Sequence, residues 1–164
     1  MMLRTDRLIL RAPLPRDLDA MFSVYSDPRA MRYWSTAPHD SPSITRELLD
    51  WRIAHWAVAP VNFQITLNDR YIGNAGNFKE DEIGFMLHPD HWRQGILTEA
   101  MGAIIPYLWK ATDHTQLTAD ADPNNAASCG LLRSLGFQET HRAENTFCIN
   151  GVWSDSVYFA LPRP

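Results

Sequence analysis

Residues 91–100 have the pattern of a turn that binds phosphate through its main chain. They read His-Trp-Arg-Gln-Gly-Ile-Leu-Thr-Glu-Ala and lie between a predicted strand and a predicted helix. The first N–H groups of a helix have no partner inside the helix, and the helix dipole adds partial positive charge there. Gly95 lets the main chain approach a ligand closely, and Arg93 adds one formal charge. The segment predicts a pyrophosphate-binding turn; the alternative is an ordinary helix start in which Gly95 serves only the turn.

Other motifs for phosphate or metal do not fit the sequence. Neither Gly-x-Gly-x-x-Gly nor Gly-x4-Gly-Lys-Ser/Thr occurs, which argues against the common dinucleotide and nucleoside-triphosphate folds. His88 and His91 flank Pro89 in a predicted loop and lack a third metal ligand. The two cysteines, Cys129 and Cys148, form no Cys-x-x-Cys pair, so they predict neither a zinc site nor a disulfide framework. We therefore expect no metal.

The composition is that of one ordinary globular domain. The 164 residues are 45% hydrophobic and 21% charged, and we interpret residues 1–164 as a single domain. The net charge is −4, with 15 Lys and Arg against 19 Asp and Glu and no basic run, which makes nucleic acid an unexpected partner. The sequence contains no apolar stretch of the length of a membrane span and no signal-peptide pattern, so we expect a cytoplasmic protein without a membrane partner.

The periodicity of apolar residues predicts strands and helices in a mixed order. Alternation of apolar and polar residues predicts strands, and apolar residues spaced three or four positions apart predict helices. Pro106 is expected to kink the third of four predicted helices or to end it early. The predicted strands are 8–12, 62–67, 70–76, 82–87, 117–121, 137–142 and 152–161, and the predicted helices are 14–25, 43–57, 95–108 and 126–135.

This order predicts a mixed α/β fold. The strand, helix and strand from Glu82 to Ala121 must form a parallel pair with a right-handed crossover, whereas the hairpins on either side are antiparallel. In this arrangement the turn at residues 91–100 lies at the carboxyl edge of a parallel strand, where open α/β sheets bind ligands.

The combined pattern resembles the GNAT superfamily of N-acetyltransferases, and within it the Rim-type branch that acetylates ribosomal-protein N-termini. The resemblance covers nearly the whole chain. It implies a GNAT-like α/β fold with about seven mostly antiparallel strands, a central splayed parallel pair and about four flanking helices. The motifs that carry it are TDRLILR at 5–11, EIGF at 82–85, WRQGILTEA at 92–100, Asn124 with Ser128, LGF at 135–137 and NGVWSD at 150–155.

The resemblance implies acetyl-CoA as co-substrate. In the family the pantetheine arm lies in the gap between the two splayed strands. The family's phosphate signature, Gln or Arg, two residues, Gly, one residue, then Gly or Ala, departs here at Trp92 and Leu97 and is kept at Gly95. We expect the departures to be tolerated because main-chain N–H groups bind the phosphates. The residues implied at the cofactor are Phe85, Met86, Leu87, Arg93, Gln94, Gly95, Ile96, Leu97, Thr98 and Asn124.

The resemblance also implies roles in catalysis. Attack of an amine on a thioester requires a neutral nucleophile, a stabilised oxyanion and a proton for the leaving thiolate. Ser128 matches the serine that protonates the thiolate, although a serine in a first helical turn is also a common local cap. Glu144 and Glu82 both match positions for a general base, and the oxyanion donor is expected to be a main-chain N–H near Met86.

The acceptor is less well determined by the sequence. The family places its acceptor pocket near Tyr33 and Trp34, together with Trp51 and Trp56, although such tryptophans also serve packing. The leading expectation is an N-acetyltransferase for a peptide or protein N-terminus. The alternatives are a small-molecule amine or amino-acid acetyltransferase and a non-catalytic acyl-CoA-binding sensor domain, as a monomer or homodimer in each case.

Overall fold

The computed structural model describes residues Met1–Pro164 and contains one eight-stranded sheet. In the sheet the strands follow the order β1-β2-β3-β4-β5-β6-β8-β7, and every neighbouring pair except β5–β6 is antiparallel. The strands are β1 (Met2–Arg4), β2 (Ile9–Arg11), β3 (Asn62–Leu67), β4 (Arg70–Lys79), β5 (Glu82–Leu87), β6 (Gln116–Ala121), β7 (Gln138–Ile149) and β8 (Val152–Pro162).

Five α-helices accompany the sheet. They are α1 (Leu18–Tyr25), α2 (Pro28–Met31), α3 (Pro42–Val58), α4 (Ile96–Ala111) and α5 (Ala126–Ser134). Helix α4 connects β5 to β6 and so provides the crossover that a parallel pair requires. None of the five is both long and apolar enough to cross a bilayer.

The parallel strands β5 and β6 separate almost as soon as they pair. Their only paired residues are Glu82 and Thr118, at the beginning of both strands. On its other edge β5 pairs with β4 along its whole length, from Glu82 to Leu87. A gap therefore opens between β5 and β6 towards their carboxyl ends, which confirms the splayed pair expected from the sequence.

The alternation of side chains gives the sheet two different faces. Ile83 and Leu87 of β5 belong to the larger buried cluster, together with Ile104 and Leu108 of α4. Met86 points the other way, into a second cluster with Met21 of α1 and others. On β6, Leu117, Ala119 and Ala121 join the α4 cluster, so Thr118 and Asp120 lie on the opposite face.

The structure has one strand and one helix more than the sequence predicted. Met2–Arg4 forms an eighth strand that is too short to produce a detectable alternation, and Pro28–Met31 adds a fifth helix after the Asp27-Pro28 stop. Of the two effects expected of Pro106, a kink or an early end, the early end is wrong, because α4 continues to Ala111. Its neighbours Ile104 and Leu108 are fully buried, and this packing outweighs the hydrogen bond that proline cannot make.

The last two strands form a longer hairpin than the sequence predicted. Strand β7 runs to Ile149, not to Arg142, with a bulge between Ala143 and Phe147. The hairpin closes at Asn150 and Gly151, whose φ angles of 51° and 80° fit a two-residue turn. Glu144 therefore lies in the bulge of an edge strand and not in a loop.

Candidate active site

The turn before α4 presents a row of free main-chain donors. None of the N–H groups of residues 93–98 donates a hydrogen bond within the protein, and the first helical bond is made by Glu99 N–H to the Gly95 carbonyl. Gly95 is the N-cap residue, in the left-handed conformation with φ 72° and ψ 11°, and no side chain caps this end. Arg93 also has a positive φ, of 57°. Such a concave row of N–H groups at a helix start suits an oxyanion such as phosphate.

The N-terminal segment holds this turn in place. Arg7 donates from Nη1 to the Gln94 carbonyl at 2.9 Å and from Nε to Glu99 Oε2 at 2.6 Å. Glu99 also accepts from the Thr5 hydroxyl and from the Arg7 N–H. Burial opposes ionisation of Glu99, but these hydrogen bonds outweigh it and lower its pKa. The Thr-x-Arg segment near the start of the chain therefore positions the turn, a role that the sequence reasoning missed.

The two residues that depart from the family's phosphate signature have structural roles. Trp92 donates from Nε1 to the Leu87 carbonyl at 2.9 Å and so fixes the turn to the end of β5. Leu97 is partly buried and packs against the main hydrophobic cluster. Because Leu97 contributes to that core, the large side chain leaves the main-chain donors accessible.

Every second main-chain N–H group of β5, the splayed strand, faces the gap between β5 and β6. His88 N–H donates to the Ile72 carbonyl on the β4 side, and Thr118 N–H donates to the Asp81 carbonyl on the β6 side. Successive N–H groups of a strand point to opposite edges. The N–H groups of Phe85 and Leu87 therefore face the gap, while that of Met86 faces β4. Any main-chain oxyanion donor is thus a neighbour of Met86 and not Met86 itself.

Ser128 lies just after β6, at the edge of the sheet where the gap is open. Its N–H donates to Asn125 Oδ1 at 3.1 Å, so Asn125 caps α5. Asn124 is exposed, and its own N–H donates to Asp122 Oδ1 at 2.8 Å. The Ser128 hydroxyl makes no hydrogen bond within the protein. It is therefore not engaged in local capping.

The structure places the two candidate bases far apart. Glu82 is at the closed end of the gap, on β5, and its pKa is raised by burial first and then by the negative charge of Asp120. Glu144 is exposed in the bulge of β7, which lies three strands away in the sheet order, or about 14 Å at the usual strand spacing. Glu82 and Glu144 are therefore separate candidates for the base.

Asp120 is a carboxylate at this site that the sequence reasoning missed. It lies on β6 on the same face as Glu82, and its Oδ1 is buried without a hydrogen-bond partner. Burial raises its pKa, Asp122 adds to the effect, and the Ser156 hydroxyl opposes it. Ser156 is fully buried and shares a hydrogen bond of 2.7 Å with Thr146. A charged residue in the middle of the central predicted strand 117–121 was the available signal.

Trp34 and Tyr33, which were predicted to bind the acceptor, lie in different surroundings. Trp34 contacts the Phe78 ring edge-on with the ring centroids 6.1 Å apart. The Phe78 ring in turn covers Gly84 of β5, where an added Cβ would lie 3.0 Å from it. Trp34 is therefore linked to the splayed strand through Phe78. Tyr33 lies beneath the Arg32 guanidinium, whose central carbon is 5.2 Å from the ring centroid.

Comparison with known proteins gives a consistent result. Residues 7–138 match the family model described as an acetyltransferase (GNAT) domain. An uncharacterised N-acetyltransferase, p20, of Bacillus licheniformis is 30% identical over 168 residues, covering 97% of this chain and 94% of that protein. The [ribosomal protein uS5]-alanine N-acetyltransferase of Escherichia coli is 30% identical over 89 residues, 54% of this chain and 46% of that protein.

Solved structures show the same fold. RimL, a ribosomal L7/L12 alpha-N-protein acetyltransferase crystallised with coenzyme A, superimposes with a TM-score of 0.85 at 19% identity, covering 99% of this chain and 98% of that one. The free main-chain donors, the splayed strands and the family match agree with one another. This chain belongs to the GNAT family and is an N-acetyltransferase.

Proposed function

We propose that this N-acetyltransferase takes its acetyl group from acetyl-CoA and transfers it directly to a primary amine. The observation that carries the proposal is the row of unpaired N–H groups at residues 93–98 beside a gap between parallel strands. Phosphates require hydrogen-bond donors, and the sequence has no basic run that would supply them as a cluster of charged side chains. Main-chain donors at a helix start fulfil this need without lysines.

Acetyl-CoA supplies the activated acyl group as a thioester. In the proposed arrangement the residues at the turn, Arg93, Gln94, Gly95, Ile96, Leu97 and Thr98, hold the pyrophosphate. The gap-facing main chain of Phe85 and Leu87 binds the pantetheine amides, as a neighbouring strand would, and one of these N–H groups stabilises the oxyanion. Asn124 borders the same open edge.

Proton transfer is assigned to side chains around the gap. The free Ser128 hydroxyl donates a proton to the leaving thiolate. Glu82, whose pKa is raised and which shares its face with Asp120, receives the proton of the amine, directly or through a water. A raised pKa makes a carboxylate a stronger base near neutral pH. Glu144 is the second candidate, in case the acceptor approaches along the β7 edge.

The proposed acceptor is the N-terminus of a peptide or protein. The activities named for two similar proteins support it: one is a [ribosomal protein uS5]-alanine N-acetyltransferase, and RimL is a ribosomal L7/L12 alpha-N-protein acetyltransferase. Chemistry points the same way: an α-amine with a pKa of about 8 has roughly one-fifth of its molecules neutral near pH 7.4, against about one in a thousand for a lysine side chain. A small amine or amino acid is the alternative acceptor.

A thiol-release assay tests this function. Purified protein is incubated with acetyl-CoA and peptides that begin with serine or alanine, or with small amines, and free thiol is followed while mass spectrometry locates the added acetyl group. We expect thiol release that depends on the peptide and acetylation at its α-amine. Tight binding of acetyl-CoA with no release for any acceptor would instead favour an acyl-CoA sensor.

A further inference from the structure

A bulge in β4 turns the ring of Phe78 onto the strand that borders the gap. The pairing of β4 with β5 shifts between Asn77 and Lys79, so Phe78 is an extra residue in β4. Such bulges re-aim a side chain and are frequent beside active sites. The ring of Phe78 lies over Gly84 of β5, where an added Cβ would be 3.0 Å from two ring carbons. The ring thus occupies the place that a side chain at position 84 would take.

Two further contacts hold this ring in place. Trp34 contacts it edge-on, with the ring centroids 6.1 Å apart. The Arg52 guanidinium lies 5.4 Å from the centroid of the Phe78 ring, and Arg52 is itself buried, at 6% exposure. The cleft that Phe78 lines together with Trp56 has about 10 Å³ of space for the centre of a water molecule, which is room for about one. The Phe78 ring therefore has little room to move away from Gly84.

The same bulge fixes the position of Glu82. Asn77 is buried, and its side-chain Nδ2 donates to the Glu80 carbonyl at 2.7 Å and to the Glu82 carbonyl at 3.1 Å. These hydrogen bonds join the bulge of β4 to the first residue of β5. Glu82 and Gly84 share a face of the sheet and lie about 7 Å apart along the strand. The ring of Phe78 therefore borders the space in front of the proposed base.

The attacking amine of the proposed reaction lies beside this ring. The proposed base is Glu82, and the first main-chain N–H proposed for the oxyanion is that of Phe85. An amine that gives its proton to Glu82 and attacks a carbonyl held at Phe85 lies between the two, next to Gly84. On its β4 side the acceptor then meets the Phe78 ring, because this ring covers Gly84.

We infer that Phe78 limits the size of the group on the carbon next to the acceptor amine. The inference rests on the proposed function and adds to it a residue that determines specificity. A hydrogen or a methyl group on that carbon leaves the ring where it is, whereas a longer branch needs the space that the ring fills. Because Gly84, Trp34 and Arg52 hold the ring, the longer branch is excluded and not accommodated.

Peptides that differ only in their first residue test the inference. We compare kcat/KM for tetrapeptides that begin with alanine, valine, leucine or phenylalanine. Wild-type protein is expected to prefer alanine to leucine by about tenfold or more, which is the usual effect of methylene groups that do not fit a pocket. Phe78→Ala is expected to bring this ratio to about one. The ratio of kcat/KM for two substrates of one protein does not depend on the fraction of active protein, so a less stable variant still gives a valid result.

Two more variants control this comparison. Phe22→Ala removes a ring of similar exposure on α1 and should keep the wild-type ratio. Phe78→Leu disturbs the packing less than Phe78→Ala and should give an intermediate ratio. The same ratio in wild type and in both Phe78 variants would overturn the inference while leaving acetyl transfer established.

A binding measurement decides the inference even if no acceptor is acetylated. Removal of the Phe78 ring should leave a space of its size near Glu82, and cavities of this kind bind small aromatic molecules. Calorimetry is expected to show that benzylamine binds to Phe78→Ala and not to wild type, and that adding Glu82→Gln weakens this binding about tenfold. Benzyl alcohol, which carries no charge, should be insensitive to Glu82→Gln. Absent binding of benzylamine to Phe78→Ala, or the same affinity with and without Glu82, contradicts the inference.

Discussion

The two sides of the gap between β5 and β6 are built from different chemistry. The proposed donor side consists mainly of main-chain N–H groups at residues 93–98 and on β5, and the side chains of Arg7 and Trp92 hold that backbone in place. The proposed acceptor side consists of side chains that titrate, such as Glu82 and Asp120. A site for one constant ligand can be made of backbone, whereas a site that selects among acceptors depends on side chains. Substitutions should therefore affect the two sides in separable ways.

The largest separable effect is expected for Ser128→Ala. Loss of a proton donor for the thiolate should lower kcat by about a hundredfold, within the usual range for general acid catalysis, while the affinity for acetyl-CoA stays the same. Steady-state kinetics and calorimetric titration measure the two quantities. Ser134→Ala, at the other end of α5, is the control. An unchanged kcat for Ser128→Ala would remove this residue from the mechanism.

On the donor side, Gly95→Val should weaken binding and not chemistry. A β-branched residue at a φ of 72° is strained by about 1–2 kcal/mol, so coenzyme A affinity is expected to fall about tenfold. Gly102→Ala is the matched control, since Gly102 lies inside α4 with no atom within 4 Å of an added Cβ; it should raise the free energy of unfolding by about 0.5–1 kcal/mol. Equal affinities for Gly95→Val and wild type would argue against phosphate binding at this turn.

The smallest expected effect is a pH shift in Asp120→Asn. The negative charge of Asp120 is the second cause, after burial, of the raised pKa of Glu82. Its removal lowers the pKa of Glu82, so the acidic limb of the kcat/KM profile should move to lower pH. If activity is instead abolished at every pH, Asp120 is itself the base; if only Glu144→Gln abolishes it, the base lies on β7.

Thermal stability tests the raised pKa of Asp120 independently of activity. The raised pKa of Asp120 means that its charged form is penalised in the folded state. This penalty is absent below the ordinary pKa of an aspartate, grows as pH rises from that value to the raised one, and is constant above it. The melting temperature of Asp120→Asn minus that of wild type should therefore be larger at pH 7 than at pH 4.

The donor side could be predicted from the sequence because its parts are contiguous. One strand, residues 82–87, and one turn, within residues 91–100, make up this side. A glycine just before an apolar helix indicates both the turn and the strand that precedes it. The proposed acceptor side joins β5, β6 and β8, which no local pattern relates. Asp120 was detectable, as a charge inside an apolar strand.

The extension of β7 could not be predicted for a related reason. Strand β7 is at the edge of the sheet and is exposed at most of its positions, so its residues show no alternation of apolar and polar types. The role of Glu144 was taken from a family position while the local structure was assumed to be a loop. The sequence thus predicted best those elements that bury a face.

The unpaired amides before α4 have a consequence for the effect of ionic strength. A lysine-rich site attracts a polyanion over a long distance, and added salt slows that encounter. Here the proposed contacts are mostly with dipoles, with Arg93 as the one charged residue among them, and the net negative charge of the chain repels the coenzyme at long range. Salt screens repulsion as it screens attraction, and the association rate of the coenzyme should therefore rise with salt.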